Sequence, residues 1–147
     1  MHAPSRRAAG AAIATMAAAL AVAATVKRDP PDFAALAPIA VIRDAAGRPL
    51  WTIRLAPRAH QLAVDASAVR PPPAGRAFQL WLAGPGGDRS LGLLSISGRR
   101  VIPEIPGLCA RLAGAGELLV SVEPAGGSKR RQPSGPTAYR AEFPDKG

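Results

Sequence analysis

From residue 39 onward, apolar and polar positions alternate in short runs, each bounded by glycine, proline or aspartate. Ile39 and Val41 lead into a turn at Asp44-Ala-Ala-Gly47. Trp51, Ile53 and Leu55 alternate with Thr52 and Arg54, and Leu62 and Val64 alternate with Gln61, Ala63 and Asp65. A polyproline-like connector, RPPPAG at 70–75, precedes the strongest run, RAFQLWLA, which sets Phe78, Leu80 and Leu82 on one face and Gln79 and Trp81 on the other. Gly84-Pro-Gly-Gly87-Asp88 turns the chain into SLGLLSI, and Ser97-Gly98 turns it into RRVIPEI. Near the end, ELLVSVEP aligns Leu118, Val120 and Val122, while TAYRAEF aligns Tyr139, Ala141 and Phe143 opposite Arg140 and Glu142. Successive side chains of an extended chain point to opposite faces, so a period of two between turn residues marks half-buried strands. Seven to eight such runs, with one short helical turn at 106–115, predict an all-β, antiparallel sandwich-like or barrel-like domain.

The N-terminal part follows a different pattern. Residues 8–26, AAGAAIATMAAALAVAATV, carry no charge, amide or proline. As a helix this run would extend about 28 Å, close to the roughly 30 Å hydrocarbon core of a bilayer. Arg6 and Arg7 precede it, and the positive-inside rule keeps such residues in the cytoplasm; Lys27 and Arg28 oppose that orientation. Only Ile13, Leu20, Val22 and Val26 insert strongly, contributing together about −1 to −2.5 kcal/mol. Ala19-Leu20-Ala21 and Ala21-Val22-Ala23 have the small-x-small form that signal peptidase accepts, so a cleaved leader competes with a retained anchor. Both readings export the rest of the chain. The expected organisation is a basic leader at 1–7, a transmembrane helix or uncleaved signal anchor at 8–26 contacting the lipid bilayer, a stiff tether at 27–38, and a β-domain at 39–147 outside the cytoplasm.

Composition narrows the chemistry. The chain holds 16 prolines and 15 glycines, which suits many short elements, and aromatics make up only 4%, so the core must rest on aliphatic residues. Net charge is +9, and beyond residue 28 there are 15 basic against 10 acidic residues. A basic balance suits nucleic acid or a membrane surface, but an excess spread along the chain reads as a solvated surface, and no nucleic-acid partner is expected. The Lys129-Arg130-Arg131 run has the chemistry to touch phosphate groups, yet reads first as a solvated loop.

Catalytic and metal-binding constellations lack their residues. His2 and His60 are the histidines and Cys109 the single cysteine; a zinc site needs about three or four clustered ligands. Cys109 reads as a small packing residue. Ser90, His60 and Asp65 can be written down as a triad, but nothing around Ser90 resembles a nucleophile elbow. GPGGD lacks the Gly-Lys-Ser/Thr ending of a phosphate loop and reads as a hairpin turn. Trp51 and Trp81 fall within strand patterns and read as packing residues rather than stacking platforms. The expectation is a non-enzyme with no catalytic, cofactor-binding or metal site.

The residues PPPAGRAFQLWLAGPGGDRSLGLLSISG, 71–98, resemble the central pattern of the C-terminal domain of anti-sigma-K factors of the RskA type. That pattern is a proline-rich lead, then Gly75, Arg76, Phe78, Leu80, Trp81 and Leu82, a glycine turn, and Ser90-Leu91-Gly92. VSVEPAGGS at 120–128, followed by Pro133-Ser134-Gly135-Pro136, is similar to a second run of the same domain, and RDAAGRPLWTIRL at 43–55 fits its opening hairpin. Physically, Gly126 and Gly127 permit a tight turn, and Glu123 is placed to accept backbone N–H bonds that pin it. The resemblance implies a single-pass protein of the plasma (inner) membrane that regulates an extracytoplasmic-function sigma factor, its C-terminal domain facing outward as a sensory or protease-shielding module. Such a chain would meet the sigma-factor system or a regulatory protease only indirectly. Only seven residues precede the apolar run, so the sigma-binding cytoplasmic domain with its His-x3-Cys-x2-Cys pattern is expected to be absent. Lys129-Arg130-Arg131 departs from the family's usual loop. The alternative reading is a stand-alone exported β-domain that binds an envelope partner.

Overall fold

The computed structural model describes residues 29–103 and 105–143. They form eight strands in two wholly antiparallel sheets. The strands are β1 (Pro38–Arg43), β2 (Pro49–Ala56), β3 (Gln61–Ala66), β4 (Arg76–Ala83), β5 (Arg89–Leu93), β6 (Gly98–Ile102), β7 (Glu117–Pro124) and β8 (Thr137–Glu142), with one helix, α1 (Leu108–Ala113), between β6 and β7. One sheet runs β1-β2-β3-β6 and the other β5-β4-β7-β8. The expected all-β antiparallel domain is therefore present, and of the sandwich-like and barrel-like alternatives the two separate sheets correspond to the first. The apolar run 8–26 lies outside the described residues; within them, no helix is long and apolar enough to cross a membrane.

Each hairpin follows from its turn chemistry. Asp44 closes the β1–β2 turn by accepting the Ala46 and Arg48 N–H groups at 2.9 Å each on one carboxylate oxygen, an Asx turn completed by Gly47 at φ +80°. The Gly87 N–H donates to the Gly84 carbonyl at 2.9 Å, making GPGGD the β4–β5 hairpin turn that its composition predicts.

Between the sheets lie Ile42, Trp51, Ile53, Leu62, Val64, Phe78, Leu80, Leu118 and Val120, all buried. Removing such a side chain from water stabilises the fold by about 1.5–3 kcal/mol. Trp51, Phe78 and Tyr139 meet edge to face, with ring centroids 5.2 to 6.0 Å apart, tying β2, β4 and β8 together. On that side β1 lies against β8 and the sandwich is closed; the opposite side is bounded by the edge strands β5 and β6.

Three details differ from the sequence reading. Ala40 and Ile42, not Ile39 and Val41, point fully inward from β1. All four residues are apolar, so their alternation carries no phase, and register shifts at Pro38/Ala40 and Ile42/Arg43 set it instead. Cys109 is exposed rather than packed, because the short helix α1 buries Leu108. Residues 32–36, expected within the tether, are docked: a 3-10 turn over Phe33–Ala35 buries Phe33 against Ala56 and Ala63 on the outer face of β2 and β3. Arg54 holds this segment by donating from Nε to the Leu36 carbonyl at 3.0 Å and reaching Asp65 with Nη1 at 2.5 Å.

Candidate functional site

The outer face of the β5-β4-β7-β8 sheet is not left to water. Register pairs Gln79 with Ser121 and Trp81 with Leu119 on that face, yet Trp81 and Ser121 are fully buried and Gln79 nearly so. The cover is the long β7–β8 connection, residues 125–136, which folds back over the sheet. Its first half is held by Gln79, whose Oε1 accepts the Ser128 N–H at 2.7 Å. Its second half is held by Glu123. That carboxylate accepts the Ser134 N–H at 3.0 Å, the Gly135 N–H at 3.1 Å and the Ser134 hydroxyl, and from below the Ser121 hydroxyl at 2.6 Å. The Ser121 oxygen in turn accepts Trp81 Nε1–H at 2.8 Å. Every partner of Glu123 in this chain is a donor, which is the arrangement an ionised carboxylate requires. Burial pushes its carboxyl up, but the Ser121 and Ser134 hydroxyls and the Gly135 and Ser134 N–H groups outweigh that and hold it below the usual glutamate range.

The sequence reading placed Glu123 against the Gly126-Gly127 turn. The structure places its bonds at the far end of the loop instead, on Ser134 and Gly135, while the glycine turn closes by its own Gly127 N–H to the Pro124 carbonyl at 2.8 Å. Both glycines lie at φ +91°, where residues with a Cβ are strained.

Beside this covered face opens a cleft of about 1050 Å³ between the β4–β5 turn, α1 with its exit, and residues 130–132 of the loop. Arg89, Arg111, Arg130 and Arg131 line it, against one acid, Asp88. Ser90, also in its lining, receives Gln79 Nε2–H at 2.6 Å and the Gly92 N–H at 3.2 Å on its hydroxyl oxygen.

The triad that could be written from Ser90, His60 and Asp65 is not brought together. Ser90 is engaged by Gln79 on β4, His60 sits exposed in the β2–β3 turn, and Asp65 on β3 is clamped by Arg54 and Arg99, both at 2.5 Å. Arg99, hydrogen-bonded to Asp65, holds that carboxyl below the usual range against the opposing push of burial, and Arg54 adds to the effect. Among the described residues, no group of three or more His, Cys, Asp or Glu is placed to hold a metal ion.

The family model described as anti-sigma-K factor rskA, C-terminal, matches residues 8–138. The chain belongs to that family. Neither a curated protein nor a solved structure matches the chain. The RskA-type motifs acquire a common location in this structure. Residues 71–98 supply β4, β5 and the turn between them, including Gln79, Trp81 and Ser90 of the covered face. Residues 120–128 and 133–136 supply the end of β7 and both halves of its cover, including Ser121, Glu123 and Ser134. The two motifs of this RskA-type domain are thus the two sides of one buried polar contact. That anti-sigma family is regulatory, and in this chain Gln79, Ser121, Glu123 and Ser134 are engaged in holding the loop.

Proposed function

We propose that this chain is the membrane-anchored, outward-facing part of an anti-sigma regulatory system controlling an extracytoplasmic-function sigma factor, held in the plasma membrane by residues 8–26. The observation that carries the reading is the family match, which spans from the first residue of the apolar run into β8. Arg6 and Arg7 before that run favour a cytoplasmic N-terminus and an exported domain. The domain would act by being folded: a closed sandwich with its long loop strapped down presents little extended backbone to a protease, and loosening it would relay an external condition to the membrane. A reporter fused after Gly147 tests the topology. Activity only outside the cytoplasm is expected, and an active cytoplasmic fusion would overturn the proposal. Sigma-dependent transcription in cells lacking this chain should change, and an unchanged level would remove the regulatory role.

A further inference from the structure

We infer that the arginine-lined cleft beside the strapped loop is a binding site for a phosphate-bearing polyanion. The inference requires neither the anchor nor the sigma-factor system. Several arginines of the domain make no ion pair with a described residue, and four of them gather at this one recess. Among the described residues, Arg48 pairs with Asp44, Arg54 and Arg99 share Asp65, and Arg140 pairs with Glu117, while Glu123 is taken up by its loop. The cleft arginines Arg89, Arg111, Arg130 and Arg131 make no ion pair with any described residue, and the single acid among the cleft-lining residues is Asp88. Four arginines around one recess concentrate positive charge there, and the planar fork of a guanidinium matches phosphate oxygens two at a time.

The recess is also held in shape. Ser128 donates its hydroxyl to the Gln132 carbonyl at 2.9 Å and accepts the Arg130 N–H at 3.1 Å, and its own N–H is fixed on Gln79. Arg130 and Arg131 therefore stand on a pinned loop, and Arg111 is steadied by its Nε–H bond to the Pro106 carbonyl at 3.2 Å. Gln79 completes the arrangement. Since its Oε1 accepts from Ser128, its Nε2–H must donate to Ser90, and with Gly92 also donating to that oxygen the Ser90 O–H is left to donate outward. The cleft thus combines a neutral hydroxyl donor with four cations. At about 1050 Å³ it reaches the top of the range of small-molecule pockets, roughly 300–1,000 Å³, so the fitting ligand carries several phosphate groups or one phosphate on a larger body.

Such phosphate could be soluble or could belong to a lipid headgroup, and one titration separates the two. The full chain in nonionic detergent micelles containing phosphatidylcholine is titrated calorimetrically with tripolyphosphate, and again with phosphatidylglycerol in place of phosphatidylcholine. Saturable binding of one tripolyphosphate per chain is expected in phosphatidylcholine, weakened about tenfold or more in Arg130→Gln/Arg131→Gln and unchanged in Arg58→Gln/Arg70→Gln, whose exposed arginines lie elsewhere. Competition by phosphatidylglycerol assigns the site to a headgroup; equal binding in both assigns it to soluble phosphate. Absence of saturable binding in phosphatidylcholine, or equal loss in the two double variants, overturns the proposal. Both variants change exposed side chains, and matched melting temperatures verify their folds.

Discussion

Glu123 shows at a single residue how this domain uses charge. A fully buried carboxylate is costly unless its oxygens are met by donors, and here Ser121, Ser134 and Gly135 meet them. Glu123→Gln keeps the shape but turns an amide N–H₂ toward groups that already donate. We expect it to destabilise the domain by about 1.5–3 kcal/mol at pH 7, measured as the shift in urea midpoint. The pH dependence has a definite sign. A carboxyl held below its unfolded value, about 4.3, gives its full stabilisation above that pH and loses it as pH falls through the lower folded value. The gap between wild type and Glu123→Gln should therefore close progressively below about pH 4.3, and a gap that stays constant into strong acid would contradict the ionised assignment.

At the level of elements, the strapped loop is where sequence and structure part company. Strands β2, β4, β7 and β8 were legible because one side of each alternates, as Phe78-Leu80-Leu82 and Leu118-Val120-Val122 do. The cover on the other face was not, since a turn-rich segment of Gly, Ser, Pro and Arg carries no period. The signal that could have revealed it was the pairing of Trp81 with an acid and a serine on a face otherwise expected to meet water. The phase of β1 is not legible in the sequence because Ile39, Ala40, Val41 and Ile42 are all apolar. Gly135 reports how closely the cover lies: a Cβ there would stand 1.8 Å from the Val122 carbonyl oxygen, too near for any relaxation short of lifting the loop. Gly135→Ala should release the second half of the strap, costing about 2 kcal/mol or more. A red shift of tryptophan emission and faster tryptic cutting at Lys129–Arg131 would register the release, and unchanged emission and cutting would refute it. The open side is managed differently. The exposed edge strand β6 carries Arg99 and Arg100, charges of the kind that discourage pairing with another chain.

For the molecule as a whole, the meeting of β1 with β8 and the contact of Tyr139 with Trp51 and Phe78 govern cooperativity. A chain ending at Pro136 keeps every strand but the last, yet exposes the aromatic cluster and opens the closed side. Its thermal unfolding should lose the single sharp transition expected of the intact domain, and retention of that transition would show β8 to be an appendage. The same adjacency has a consequence in time. A ribosome delivers a chain from its N-terminus, so β1 waits unpartnered on its β8 side until Thr137–Glu142 have emerged. Contacts joining the first and last strands of a domain form slowly, because the long loop between them must close before they return any energy. The domain therefore cannot ratchet itself into place strand by strand as it is delivered. The sandwich completes in one late step, and whatever guards the unfinished domain must do so until β8 has been delivered.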